Sequence, residues 1–172
     1  HYPMADLEFE TNAPVSVSLR AWCPFLPGDA ESSNTPGAVF EVTVQNDSDS
    51  KQRVTLATTF PGPSEEEIGE AKLLRNAVTE GNVSGISVDA GEELGYFLGA
   101  MDEDGARVGG DLNAEESAWS KIATALPTNQ GAGASAAVDF ELDAGQTRTV
   151  RFVLAWYKRS LIVNGRHLYI HA

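Results

Sequence analysis

The sequence is short of cysteine, lysine, histidine and long apolar runs. Its one cysteine, Cys23, excludes an internal disulfide and a cysteine-based metal site. Only 12 Lys and Arg stand against 25 Asp and Glu, which leaves a formal charge of −13 and a pI near 4.5. Lys and Arg carry phosphate recognition, so a nucleic acid is excluded as partner, and an anionic membrane surface with it. No run approaches the roughly 18 apolar residues of a membrane-spanning helix, so membrane insertion is not expected. The start, His1-Tyr2-Pro3-Met4, has neither a charged n-region nor an apolar h-region. No secretory signal is visible there, and a cytoplasmic location is the expectation. The chain does not open on Met, which suggests that it starts within a longer protein.

What is there bounds the fold. A chain of 172 residues is expected to form one domain over residues 1–172, or a piece of a larger one. At this size about 70% of the unfolded surface is buried, enough for a true core. Alanine, at 22 residues, dominates the apolar set, so small side chains should fill part of that core. Lysine accounts for only four of the basic residues (Lys51, Lys72, Lys121 and Lys158). Such acid-rich, lysine-poor chains suit a salt-filled cytoplasm, where screening removes self-repulsion. An ordinary acidic chain is the alternative.

Period-two alternation is the dominant pattern. Val15, Val17, Leu19 and Ala21 alternate with Ser16, Ser18, Arg20 and Trp22. Ala38, Phe40, Val42 and Val44 do the same, and Asn46-Asp47-Ser48-Asp49-Ser50 follows as a turn. Val54, Leu56, Thr58 and Phe60 form a third run, closed by Pro61-Gly62-Pro63. Val138, Phe140 and Leu142 lead through the turn Asp143-Ala144-Gly145-Gln146 to Thr147–Tyr157, where Val150, Phe152, Leu154 and Trp156 share a face. Ser84–Ala90 and Glu93–Met101 read as further strands. Ser64-Glu65-Glu66-Glu67 opens Ser64–Asn76 like a capped helix, and Ala114–Ala125 reads as a second short helix. Thr128–Ser135 has the composition of a loop. One buried face per strand is the mark of antiparallel sheets. The expected class is all-β, an antiparallel two-sheet β-sandwich with short helical insertions.

Catalytic constellations are scarce, and no catalytic, cofactor-binding or metal-ligating residue is assigned. His167 and His171, placed on one strand, lie about 13 Å apart, too far to share a metal, and His1 is terminal. Asp102, Glu103 and Asp104 precede Gly105 like part of a calcium loop, with Asp111 as a further oxygen donor; an acidic hairpin turn explains them more simply. With 25 acidic residues, carboxylate pairs arise by chance and no spacing singles one out for glycoside chemistry. Cys23 before Pro24 reads as a small buried apolar residue, and Ser84 lacks a nucleophile-elbow motif. Asn46-Asp47-Ser48 and Asn82-Val83-Ser84 match the glycosylation sequon, without a secretory signal to support it. Trp22, Trp119 and Trp156 are candidates for a sugar platform, against the alternative that Trp156 and Trp22 belong between the sheets.

Three stretches taken in order resemble one family. Leu19–Phe40, LRAWCPFLPGDAESSNTPGAVF, resembles a Pro-Phe-Ile-Pro segment in the N-terminal region of glycoside hydrolase family 116, the non-lysosomal glucosylceramidase or β-glucosidase 2 family. Tyr2-Pro3-Met4-Ala5 and the acidic Asp6-Leu7-Glu8 resemble the segment just before it. Ala38–Phe60 is similar to that family's strand-turn-strand, and Leu142–Tyr157, LDAGQTRTVRFVLAWY, to its Leu-x-x-Gly…Phe-Val-Leu-Ala-Trp-Tyr run. Asn164-Gly165-Arg166 and Tyr169–Ala172 resemble the stretch that follows. Cys23 stands where Ser is more usual, and Lys158 where Pro often follows Trp-Tyr. Ser64–Ser135 aligns only loosely.

The resemblance implies an N-terminal β-sandwich packed on an (α/α)6 catalytic barrel that carries both catalytic carboxylates. Nothing in these residues corresponds to the barrel, so the chain alone is expected to be inactive, with that barrel as its partner and a glucoside substrate met only indirectly. No cofactor is implied. The alternative is a free-standing carbohydrate-binding or adhesion sandwich.

Overall fold

The alternating segments pair into antiparallel ladders. In the computed structural model, which describes residues 4–114, 116–128, 131–158, 160–163 and 166–170, seven strands form one sheet. In spatial order they are β1 (Met4–Phe9), β2 (Val15–Trp22), β3 (Gly37–Asn46), β10 (Thr147–Lys158), β7 (Leu94–Met101), β6 (Val83–Ala90) and β5 (Leu73–Glu80). A second sheet has three strands, β4 (Gln52–Phe60), β9 (Ala134–Leu142) and β8 (Arg107–Gly110) in that order. β11 (Ser160–Val163) and β12 (Arg166–Ile170) make a separate ribbon. The all-β, two-sheet sandwich expected from the alternation is what forms.

The parity of each strand decides what is buried. Val44, Val150, Phe152 and Ala100 of the large sheet meet Val138, Phe140 and Leu142 of β9 in one cluster. Ile86, Val88, Tyr96 and Leu98 meet Ala134 and Ala136 in a second. Alanine does help fill the core: Ala100, Ala134, Ala136 and Ala137 are wholly buried. At Gly85 and Gly99, paired across β6 and β7, an added Cβ would lie 2.9 and 2.5 Å from the tip of the Phe97 ring. The missing side chains let that ring lie on the backbone.

Turn chemistry closes the ladders. Gln146 N donates to Asp143 O at 3.0 Å, with Gly145 at φ 72°, in the turn read from Asp143–Gln146. Asn46, fully buried, organises the turn after β3, accepting from the Ser48 amide at 3.0 Å.

Two helical expectations are shortened. The helix expected to open at Ser64 is α2 (Glu65–Ile68), with Ser64 and Glu67 in a reciprocal capping box. Gly69, at φ 58°, ends it, and Leu73–Asn76 belongs to strand β5 instead. Among the described residues of the segment 114–125 only α3 (Glu116–Trp119) is helical, followed by turns. A further turn of helix, α1 (Ala30–Ser33), sits between β2 and β3, where Asp29 Oδ1 accepts from Ser32 N at 3.0 Å.

Candidate interaction surfaces

The sheets differ in width, and this leaves surface open. Three strands cannot cover seven. The inner face of the large sheet carries the row Leu7, Leu19, Val42 and Val150, running from β1 through β2 and β3 to β10. Val42 and Val150 join the core, whereas Leu7 and Leu19 belong to neither cluster. Leu7 is 51% and its face-mate Phe9 49% exposed. Ala5 and Ala21, also paired, extend this apolar strip.

The opposite face of the same strands is laced by charge. Asp6, Arg20, Glu41 and Arg151 lie in register across β1, β2, β3 and β10. Arg20 meets Asp6 at 2.7 Å and Arg151 meets Glu41 at 2.8 Å. Arg151 also reaches Asp102 at 3.5 Å. Each cation sits between carboxylates, and the hollow of about 470 Å³ over this row has Glu8 as a further acid in its walls. Along the neighbouring register line every residue is apolar or glycine: Trp22, Val39, Val153, Gly99, Gly85 and Val78.

At the other end of β10 a hollow of about 520 Å³ opens between the sheets. The small sheet stops at Phe60 and Ala134, which pair with each other. β10 runs on, and Trp156, opposite Tyr96, is left 44% exposed on the inner face. Phe60 and Tyr96 meet edge to face, centroids 4.9 Å apart at 77°. The Tyr96 hydroxyl donates to Ala132 O at 2.5 Å. Burial pushes that phenol up to about 12, with Asp111 adding to the rise against the opposing effect of Arg75, so it stays a neutral donor. The rim holds Glu67 and Lys158, with Lys158 Nζ 3.5 Å from Glu67 Oε1. Glu67 is held below its ordinary value, first by the Ser64 backbone amide and then by the Ser64 hydroxyl.

The residues singled out in the sequence scatter. Cys23 is half-buried just beyond β2. Ser84 is buried, its hydroxyl accepting from Ala106 N at 2.8 Å. Asp102 turns the chain at φ 56° and accepts from the Asn82 amide at 2.9 Å. Glu103 meets Arg148 at 2.6 Å, and that guanidinium lies 4.7 Å over the Phe140 ring. Asp104 is exposed in the turn. Asp111 accepts from Thr59 Oγ1 at 2.7 Å on the far side of the small sheet. These carboxylates do not converge, and among the described residues no group of three His, Cys, Asp or Glu could hold a metal ion. His1 and His171 lie outside the described residues, as does the side chain of His167.

Of the two sequons, Asn46 is sealed and uses its amide within the fold, and Asn82 is exposed but precedes the buried Ser84. The tryptophans do not form a platform together. Trp22 lies half-buried on the outer face, Trp119 donates to Asn113 O at 2.9 Å beside α3, and Trp156 alone faces the hollow. Strand parity places Trp156 on the inner face with Phe152. It does not reveal that the opposing sheet ends short of it, so the gathering with Tyr96, Phe60 and Lys158 is not legible beforehand. No helix among the described residues is long and apolar enough to cross a membrane, which says nothing of β-barrels.

The family model described as beta-glucosidase 2, glycosyl-hydrolase family 116 N-term, matches residues 1–167. No curated protein matches the chain. One solved structure, described as a kojibiose phosphorylase from human microbiome, superposes with a TM-score of 0.49 at 10% identity. That match covers 89% of this chain but only 17% of the other.

Proposed function

The chain belongs to the N-terminal domain family of family 116 glycosyl hydrolases, and on that premise we propose that it is the non-catalytic β-sandwich of a β-glucosidase or glucosylceramidase-like enzyme. It packs on and supports a helical (α/α)6 catalytic domain. The observation that carries this reading is the open inner strip of Leu7, Phe9 and Leu19 on β1 and β2. Exposed apolar strips of this kind mark protein contacts, because leaving them in water costs roughly 25 cal/mol per Å². Asp139, Glu103 and Glu41 are engaged by Arg107, Arg148 and Arg151, which fits a supporting role rather than glycoside cleavage. On this reading residues 1–172 act as one sandwich unit, and the glucoside is cut elsewhere.

The same proposal places the chain in a cytoplasm rich in salt. A single unpaired cysteine, a sealed sequon at Asn46 and a charge of −13 support that setting.

The test is association. The isolated chain should bind the helical catalytic domain of a family 116 β-glucosidase prepared without its own sandwich, and should not itself cleave an aryl β-glucoside. Failure to bind, or turnover by the chain alone, overturns the reading.

A further inference from the structure

We propose that the hollow floored by Trp156 is a non-catalytic binding site for a neutral pyranoside with equatorial vicinal hydroxyls. The site lies apart from the docking strip. Six residues of β10 separate Trp156 from Val150 in the Leu7 row, about 20 Å at strand rise. The proposal does not depend on that docking.

Trp156 faces the space between the sheets yet keeps nearly half its surface in water, because the small sheet ends at Phe60 and Ala134 while β10 runs on. Its indole offers a flat apolar floor. Tyr96, Phe60, Leu94 and Leu154 complete an apolar wall. At about 520 Å³ the volume falls in the roughly 300–1,000 Å³ range of small-molecule sites, which join an apolar lining to a few placed polar groups.

Those polar groups are Glu67 and Lys158. Glu67 Oε2 is occupied by the Ser64 amide and hydroxyl at 3.0 and 3.1 Å. Oε1 faces Lys158 Nζ at 3.5 Å, a loose contact that leaves both with unused capacity. The Glu67 carboxylate oxygen accepts from one hydroxyl and the Lys158 ammonium beside it donates to the neighbouring one, a pairing that suits a vicinal diol. An equatorially substituted pyranose also carries a face of C–H bonds, which suits the indole. An anion is disfavoured, since Lys158 is already neutralised and the chain carries −13.

The experiment is an NMR titration of the isotope-labelled full chain with methyl β-glucopyranoside, methyl β-galactopyranoside and cyclohexanol, following the tryptophan indole N–H signals. The expected result is a saturable shift of the Trp156 signal with the glucoside. Binding should weaken at least about tenfold in Trp156→Ala and several-fold in Lys158→Ala and Glu67→Gln, with Trp119→Phe unaffected. Glutamine keeps the cap of α2, so Glu67→Gln remains informative should Trp156→Ala unfold. Equal binding of cyclohexanol would make the hollow a mere apolar pocket and overturn the proposal. So would no shift with either sugar, or unchanged affinity in Glu67→Gln and Lys158→Ala.

Discussion

Asn46 donates its side-chain amide to the carbonyl oxygen of Leu142 at 3.1 Å, tying the last residue of β3 in the large sheet to the last residue of β9 in the small one. The same amide reaches Asp143 O at 3.1 Å and Ser50 O at 2.8 Å, while its oxygen accepts from the Ser48 amide and hydroxyl. One side chain thus holds two turns and two sheets together. Asn46→Ala orphans several partly buried partners, which costs about 1–3 kcal/mol. Urea unfolding should show a lower midpoint with an unchanged slope. A midpoint equal to that of the parent would mean that water replaces the amide without loss.

Gly99 and Gly85 make a sharper steric prediction. A Cβ at Gly99 would sit 2.4 Å from the Ser84 carbonyl oxygen and 2.5 Å from Phe97 Cζ. Gly99→Ala should therefore displace the Phe97 ring and destabilise by about 1–3 kcal/mol. Thermal melting together with the Phe97 ring-proton shifts tests it. A stable variant with an unmoved ring would contradict the close packing.

Acid should unpick the outer face of the small sheet. Asp139 is held below its ordinary value chiefly by its hydrogen bond from Arg107, with the Thr55 hydroxyl helping and burial opposing. A carboxylate depressed in the folded state adds stability above its unfolded value and loses it as pH falls through the folded one. Both partners are partly exposed, so the contribution is under about 1 kcal/mol. The stability gap between the parent and Asp139→Asn should be constant near neutrality and close below about pH 4. A gap that persists in strong acid would rule the pair out as its source.

Salt sets two effects against each other. Screening relieves the repulsion of 13 uncompensated negative charges, and it also weakens pairs such as Arg151–Glu41. The net charge should win, and the melting temperature should rise from low to about molar salt. A falling melting temperature would show that the ion pairs dominate.

The strands with clean alternation were legible in the sequence: Val15–Trp22, Gln52–Phe60 and Thr147–Lys158 match their patterns almost residue for residue. β5 was not, because Leu73 and Leu74 break the period and the capped turn at Ser64 suggests a longer helix. β8, four residues with two glycines, has too little pattern to register. The open strip was foreseeable in kind but not in place. Leu7 and Phe9 alternate like core residues, and only the seven-to-three mismatch of the sheets leaves them in water. Trp156 stands out in the sequence as a candidate for a sugar platform, but its exposure at the end of the sandwich does not, since parity assigns a face and not the extent of what covers it.

Docking is the central claim. Size-exclusion chromatography with light scattering, on the chain mixed with a family 116 helical catalytic domain lacking its own sandwich, measures it most directly. The account predicts a one-to-one complex with the parent chain, and none with Leu7→Asp or Phe9→Asp, both of which should fold because the replaced side chains are about half exposed. No complex with the parent, or an undiminished complex with both variants, would contradict it.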